Sequence, residues 1–174
     1  MNIFVLDENP IIAAQFHCDK HVVKQILETA QMLVTTYKTH TTQDIKFNLK
    51  STHQHHPCTK WVSESTHNFF WLLALGQQLL SEFETRYKHP HTYITLYQEL
   101  SNIQHEYLSQ FIPNTPMTPF AIVMKDNFKI STNPVECYRE YYNKEKYKFA
   151  KWKNSKIPFW FQPNNKEETI NANQ

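Results

Sequence analysis

Residues 10–38 read PIIAAQFHCDKHVVKQILETAQMLVTTYK, and this stretch decides the fold class. Ile12, Phe16, Val23, Leu27, Ala30 and Val34 recur near the 3.6-residue period of an α-helix, with Asp19, Lys20, Lys24 and Glu28 on other faces. Asp7 or Asn9 is placed to cap the start. Pro10 suits a first turn, where the N–H that proline lacks would have no partner anyway. A break is expected near His17 or Cys18. Upstream, residues 2–6 read as a short strand or extended segment. Downstream, residues 39–57 form a long polar loop ending in Pro57. A second helix is expected over 58–87, with Trp61, Phe69, Leu72, Leu73, Leu79, Leu80 and Phe83 as its apolar stripe, and His89-Pro90-His91 ends it. A further helix covers 91–108. Pro113, Pro116, Pro119 and Pro134 make most of the next stretch an irregular crossing, and Pro134 opens a last helix over 135–152. The expectation is a mainly α, bundle-like single domain over residues 1–162 with a short N-terminal extended segment. A polar tail, frayed at its end, follows over 163–174.

Composition narrows the classes of function. A chain of 174 residues, 40% hydrophobic and 14% aromatic, has the length and apolar content of one domain with one core. Gly76 is the only glycine. That excludes Walker and dinucleotide phosphate loops, in which several glycines let the backbone approach a phosphate. Cys18, Cys58 and Cys137 are odd in number and suggest no disulfide framework, so a reducing cytoplasmic compartment is expected, the host's if the chain is viral. The sequence carries neither a secretory leader nor an apolar run of membrane-spanning length, so no membrane association is expected. The formal charge of +2 does not by itself point to nucleic acid.

Four clusters carry candidate chemistry. On a continuous helix His17, His21, Lys24 and Glu28 follow 4-3-4 spacing and share a face. That row reads as two imidazoles and an ammonium for a phosphate, with Glu28 as acid or base, or as a solvated face with i,i+4 ion pairs. His53, His55, His56 and Cys58 gather potential zinc ligands, yet in no standard zinc spacing; His56-Pro57 also reads as a helix start. No metal and no cofactor are expected. The segment Glu82–His91 ends a helix in cations, Arg86 among them, which suits either the helix dipole or a phosphate. Between Arg139 and Lys156 lie seven of the eighteen lysines and arginines, interleaved with aromatics that run on to Phe159-Trp160-Phe161. Such a segment reads as a nucleic-acid surface, its lysines on phosphates and its rings on unpaired bases, or as an amphipathic helix with solvated lysines.

With those residues in view, the chain resembles the pyrimidine-dimer DNA glycosylase superfamily of the phage endonuclease V type, and within it a set of phage proteins. The likeness rests on order and spacing. It comprises a short N-terminal segment and then the helix His21-Val22-Val23-Lys24-Gln25-Ile26-Leu27-Glu28. The His56-Pro57 start with Trp61, the element Glu82-Phe83 with Arg86-Tyr87, and Pro158-Phe159-Trp160-Phe161 complete it. The resemblance implies a base-excision enzyme acting on double-stranded DNA with a damaged or flipped pyrimidine, as a monomer without a cofactor. It implies that the chain's α-amino group attacks C1′ while a helix glutamate assists, and that the resulting imine permits strand cleavage. Asn2 discourages removal of the initiator methionine, so the nucleophile is the Met1 amine, and Glu28 or Asp19 is the carboxylate. Asn2, His17, His21, Lys24, His56, Arg86, Lys148, Lys151 and Trp160 are then the residues for substrate and phosphate. Two alternatives remain open: a nucleic-acid-binding phage protein without catalysis, and a His/Asp metal-dependent nucleotide hydrolase.

Overall fold

Asn9 sets the first helix. Its side chain accepts the Ile11 and Ile12 amides, and Pro10 follows at the first helical position, so α1 (Pro10–Phe16) begins where the capping signals lie. It stops after two turns. His17 and Cys18 take extended backbone, and α2 (Asp19–His40) starts at once beyond them. The structure, a computed structural model, describes residues 1–43 and 49–163; the tail expected from residue 163 falls, from 164 on, outside them, as does part of the 39–57 loop. Then come α3 (Pro57–Ser63), α4 (Thr66–Tyr87), α5 (Ile94–Ser101), α6 (His105–Leu108) and α7 (Pro134–Tyr141). A wide π turn over Tyr142–Lys146 continues α7, and a 3-10 turn spans Asp126–Phe128.

The fold is mainly α, with no strand among the described residues. Residues 3–6 belong to no helix or strand, the Leu6 amide turning back onto the Phe4 carbonyl at 3.0 Å, and Ile3, Phe4, Val5 and Leu6 are all buried, so the N-terminal segment threads the core. The two 22-residue helices, α2 and α4, lie against each other; α1 packs on α4, α3 on both, and α5 on α4. Gly76 faces α5. A Cβ there would run into the Tyr97 ring, whose hydroxyl donates to the Ile26 carbonyl at 2.9 Å and so ties α5 to α2.

Three helices are shorter than expected. The 58–87 helix divides because Ser65 caps a new start, its hydroxyl accepting the His67 amide, while Asn68 donates its side-chain amide to the Trp61 carbonyl at 2.7 Å. The 91–108 helix divides where Asn102 and Ile103 turn back onto Glu99 and Leu100. The last helix ends at Tyr141 rather than near 152, because the π turn swings Tyr142 fully into the core against His21. The buried face of α2 also differs. Val22, Ile26, Ala30 and Leu33 face the core, whereas Val23 is 41% exposed, and on α1 Ile12 is 37% exposed. His21, Gln25 and Glu28 go inside with the apolar set.

At one end Arg86 joins α1, α2 and α4. It is wholly buried, and its guanidinium donates to the Glu82 carboxylate, to Asp19 and to the carbonyls of Gln15 and His17. Asp19 also accepts the Lys153 amide at 3.0 Å through both oxygens.

Candidate active site

Asn2 fixes the start of the chain. Its side-chain amide donates to the Val123 carbonyl at 2.9 Å, and its oxygen accepts the Tyr138 hydroxyl and the Ile3 amide, each at 2.8 Å. The Met1 side chain is 2% exposed, and the Thr59 hydroxyl points at its sulfur at 3.6 Å. Held at both sides, the α-amino nitrogen sits 3.6 Å from Glu28 Oε1.

Glu28 lies in the third turn of α2, on the side turned toward the N-terminal segment, and its carboxylate is divided between two tasks. Oε2 accepts the Asn2 backbone amide at 3.1 Å and the Gln25 side-chain amide at 2.8 Å. Oε1 faces the α-amine and, at 3.2 Å, the ammonium of Lys24 one turn earlier. Gln25 is itself wholly buried, and among the described residues its own carbonyl oxygen has no partner. A primary amine beside an oriented carboxylate is a chemical arrangement for attack on an electrophilic carbon with proton transfer at the same place.

The 4-3-4 row does not survive as one face. His17 lies before α2 begins; it is fully buried, its Nδ1 bonded to the Ala13 carbonyl at 2.6 Å. Burial, with a smaller effect of Arg86, lowers its pKa to about 4. His21 stacks on Phe4, touches Phe149 edge-on and shares a hydrogen bond with the Tyr142 hydroxyl. Burial first, then neighbouring cations including Lys146 and Lys24, hold it down at about 3. Both imidazoles are therefore neutral at pH 7, which corrects their reading as phosphate clamps. Lys24 alone of the row's cations reaches solvent, its side chain 65% exposed.

His56 caps α3 by accepting the Cys58 amide, and burial and the nearby α-amine lower its pKa. Burial raises the Cys58 thiol to about 11, and its sulfur contacts Asn2. Among the described residues no group of three His, Cys, Asp or Glu side chains gathers to hold a metal, so the hydrolase alternative finds no ligand set there.

Other candidates lie apart from the amine. Arg86 and Asp19 belong to the buried joint between helices, where their bonds are made to the protein itself. Trp160 is half-buried against Phe16, Tyr142 and the Arg139 guanidinium. Arg139 is also turned inward, onto the Leu6 carbonyl and Asp7. Lys148 lies over Tyr147, and Lys151 is exposed while its carbonyl accepts the Asp19 amide. The cations close to His21 are instead Lys24 and Lys146, and Lys20 lies over Phe149 at 4.9 Å. Sequence reasoning did not point to Thr59, and it gave Gln25, Tyr138 and Lys146 no individual role although they lie in the stretches it singled out. The Gln25–Glu28 i,i+3 spacing was available as a signal; Tyr138 had none, being 136 residues from Asn2.

Comparison with curated proteins and with solved structures returns no match. The family model for pyrimidine dimer DNA glycosylase matches residues 1–95, more than half of the chain and the part that contains Met1, Asn2, Lys24, Glu28 and His56. The chain belongs to the pyrimidine dimer DNA glycosylase family.

Proposed function

We propose that the protein is a DNA N-glycosylase for damaged or modified pyrimidines, with imine-based lyase activity, and that Met1 and Glu28 are its catalytic pair. The observation that carries this reading is the α-amino nitrogen 3.6 Å from Glu28 Oε1, with Asn2 fixing the chain start and Gln25 fixing the carboxylate. The free amine forms a bond to C1′ as the C1′–N bond to the base breaks, and the base leaves with the bonding electrons. Glu28 offsets the positive charge that develops on the sugar, takes the first proton from the attached amine and passes it to O4′ as the nitrogen lone pair opens the ring. Loss of the second amine proton gives the imine. Removal of a C2′ proton then expels the 3′ phosphate by β-elimination.

A terminal amine suits this work. A primary amine can attack an electrophilic carbon and go on to an imine, as the lysine of a Schiff-base enzyme does. Extruding the target nucleotide costs a few kcal/mol, so unpaired or damaged bases are favoured substrates. Lys24, with Lys20 and Lys146 nearby, supplies the charge for the flanking phosphates; His17 and His21 do not, being buried and neutral. A variant with a short N-terminal extension tests the reading. It should release no base from ultraviolet-irradiated duplex while binding that duplex as the parent does. Base release at the parent rate would reject the terminal amine.

A further inference from the structure

The first turn of α3 closes over the start of the chain. Cys58 Sγ meets Asn2 Oδ1 at 3.8 Å, and the Thr59 hydroxyl meets the Met1 sulfur at 3.6 Å. The Met1 side chain packs against the core and is all but closed to solvent. A first residue ordinarily frays, because one peptide bond is its only tether. Met1 has a second tether in its side chain, an unbranched thioether whose freely turning bonds let it fill an irregular gap. Two nitrogens at this end reach Glu28. The Met1 α-amine lies 3.6 Å from Oε1, and the Asn2 amide lies 3.1 Å from Oε2. Only the first is a nucleophile while Met1 is in place. In a chain cut back to Asn2 the second would become the α-amine, on the carboxylate oxygen that Gln25 also engages, and the space beside Thr59 would stand empty.

We propose that Thr59 and its neighbours form a seat for the Met1 side chain that positions the nucleophile, so that the active enzyme is the chain that keeps Met1. The proposal rests on the glycosylase reading and deepens it: it says which of the two nitrogens reacts and what holds that nitrogen in place. Rotation about the Met1 Cα–C bond carries the amine and the side chain together, so a seated side chain keeps the amine on Oε1. Thr59 is a positioning residue that acts through Met1. An amine free to swing loses rate rather than affinity, because the charge for the phosphates comes from Lys24 and its neighbours. A misplacement of about 1 Å costs up to about a hundredfold in rate.

The first residue can be set by cleaving a removable leader from the chain. Met1→Gly keeps the α-amine and removes the side chain. Its borohydride-trapped adduct with saturating abasic-site DNA should form about ten- to a hundredfold more slowly than the parent's, while Kd for a duplex with a tetrahydrofuran abasic analogue stays within about twofold. A chain that begins at Asn2 should be slowed as far. Met1→Leu refills the seat and should recover part of the loss, and Thr59→Ala should show a smaller loss of the same kind. Each variant is checked for an unchanged circular dichroism spectrum. In DNA-free protein labelled at its four methionine methyl groups, the Met1 methyl should show a nuclear Overhauser contact with Thr59. A Met1 methyl without that contact overturns the proposal, as does an adduct formed at the parent rate by Met1→Gly or by the chain that begins at Asn2. An adduct indifferent to residue 1 removes the proposal alone, whereas no adduct with the parent removes the glycosylase reading and the proposal together.

Discussion

Glu28 is a carboxylate with two distinct oxygens. Oε2 is fixed by the Asn2 amide and by Gln25, so Oε1 is the atom presented to the amine. Glu28→Gln keeps an oxygen for those two donors and removes the charge. It should lower base release by at least about a hundredfold, the usual contribution of a positioned acid or base, while DNA affinity in an equilibrium titration stays nearly the same. Lys24→Ala should weaken binding and reduce the salt slope by about one phosphate contact. Glu28 was legible as a helix carboxylate near the chain start, but Asp19 looked equivalent to it. Only the fold separates them, by pairing Asp19 with the buried Arg86 at 3.0 Å. The imidazoles misled for a related reason. A histidine in a sequence looks like a nascent cation, and burial, which no local pattern reveals, keeps His17 and His21 uncharged.

At the scale of elements, α2 and α4 needed only periodicity and caps to be read, whereas the breaks depended on single polar side chains. Ser65 could have been recognised as a cap; the Asn68 bond to Trp61 and the swing of Tyr142 onto His21 arise from packing between distant segments. Gly76 shows the same limit. Its scarcity marked it, yet its reason is the Tyr97 ring of α5 lying where a Cβ would go. Gly76→Ala gains a little helix propensity and forces that ring aside, so it should destabilise by about 1–3 kcal/mol in denaturant unfolding. Tyr97→Phe/Gly76→Ala should recover little, because the collision involves ring carbons as well as the hydroxyl.

The whole molecule couples its stability to pH through the same buried imidazoles. His17 and His21 titrate near 4 and 3 when folded, mainly because burial disfavours the charged ring. The unfolded chain takes up those protons near pH 6.5, so below that pH it binds more protons than the native state does. Stability should be complete above about pH 6.5 and fall as acid is added, by about 1.4 kcal/mol per pH unit for each histidine, until the folded values are reached. Urea unfolding between pH 7.5 and 5 should show this slope, reduced by about half in His21→Gln. The N-terminal segment threads the core that these rings help to form, so the fold and the position of the amine are one structure. The central claim is that this amine is the nucleophile. Wild-type protein incubated with abasic-site DNA and borohydride should give one covalent adduct per chain, with the DNA on the peptide that begins at Met1, and no adduct once the α-amine is acetylated. No adduct at all, or DNA attached to a lysine, would contradict it.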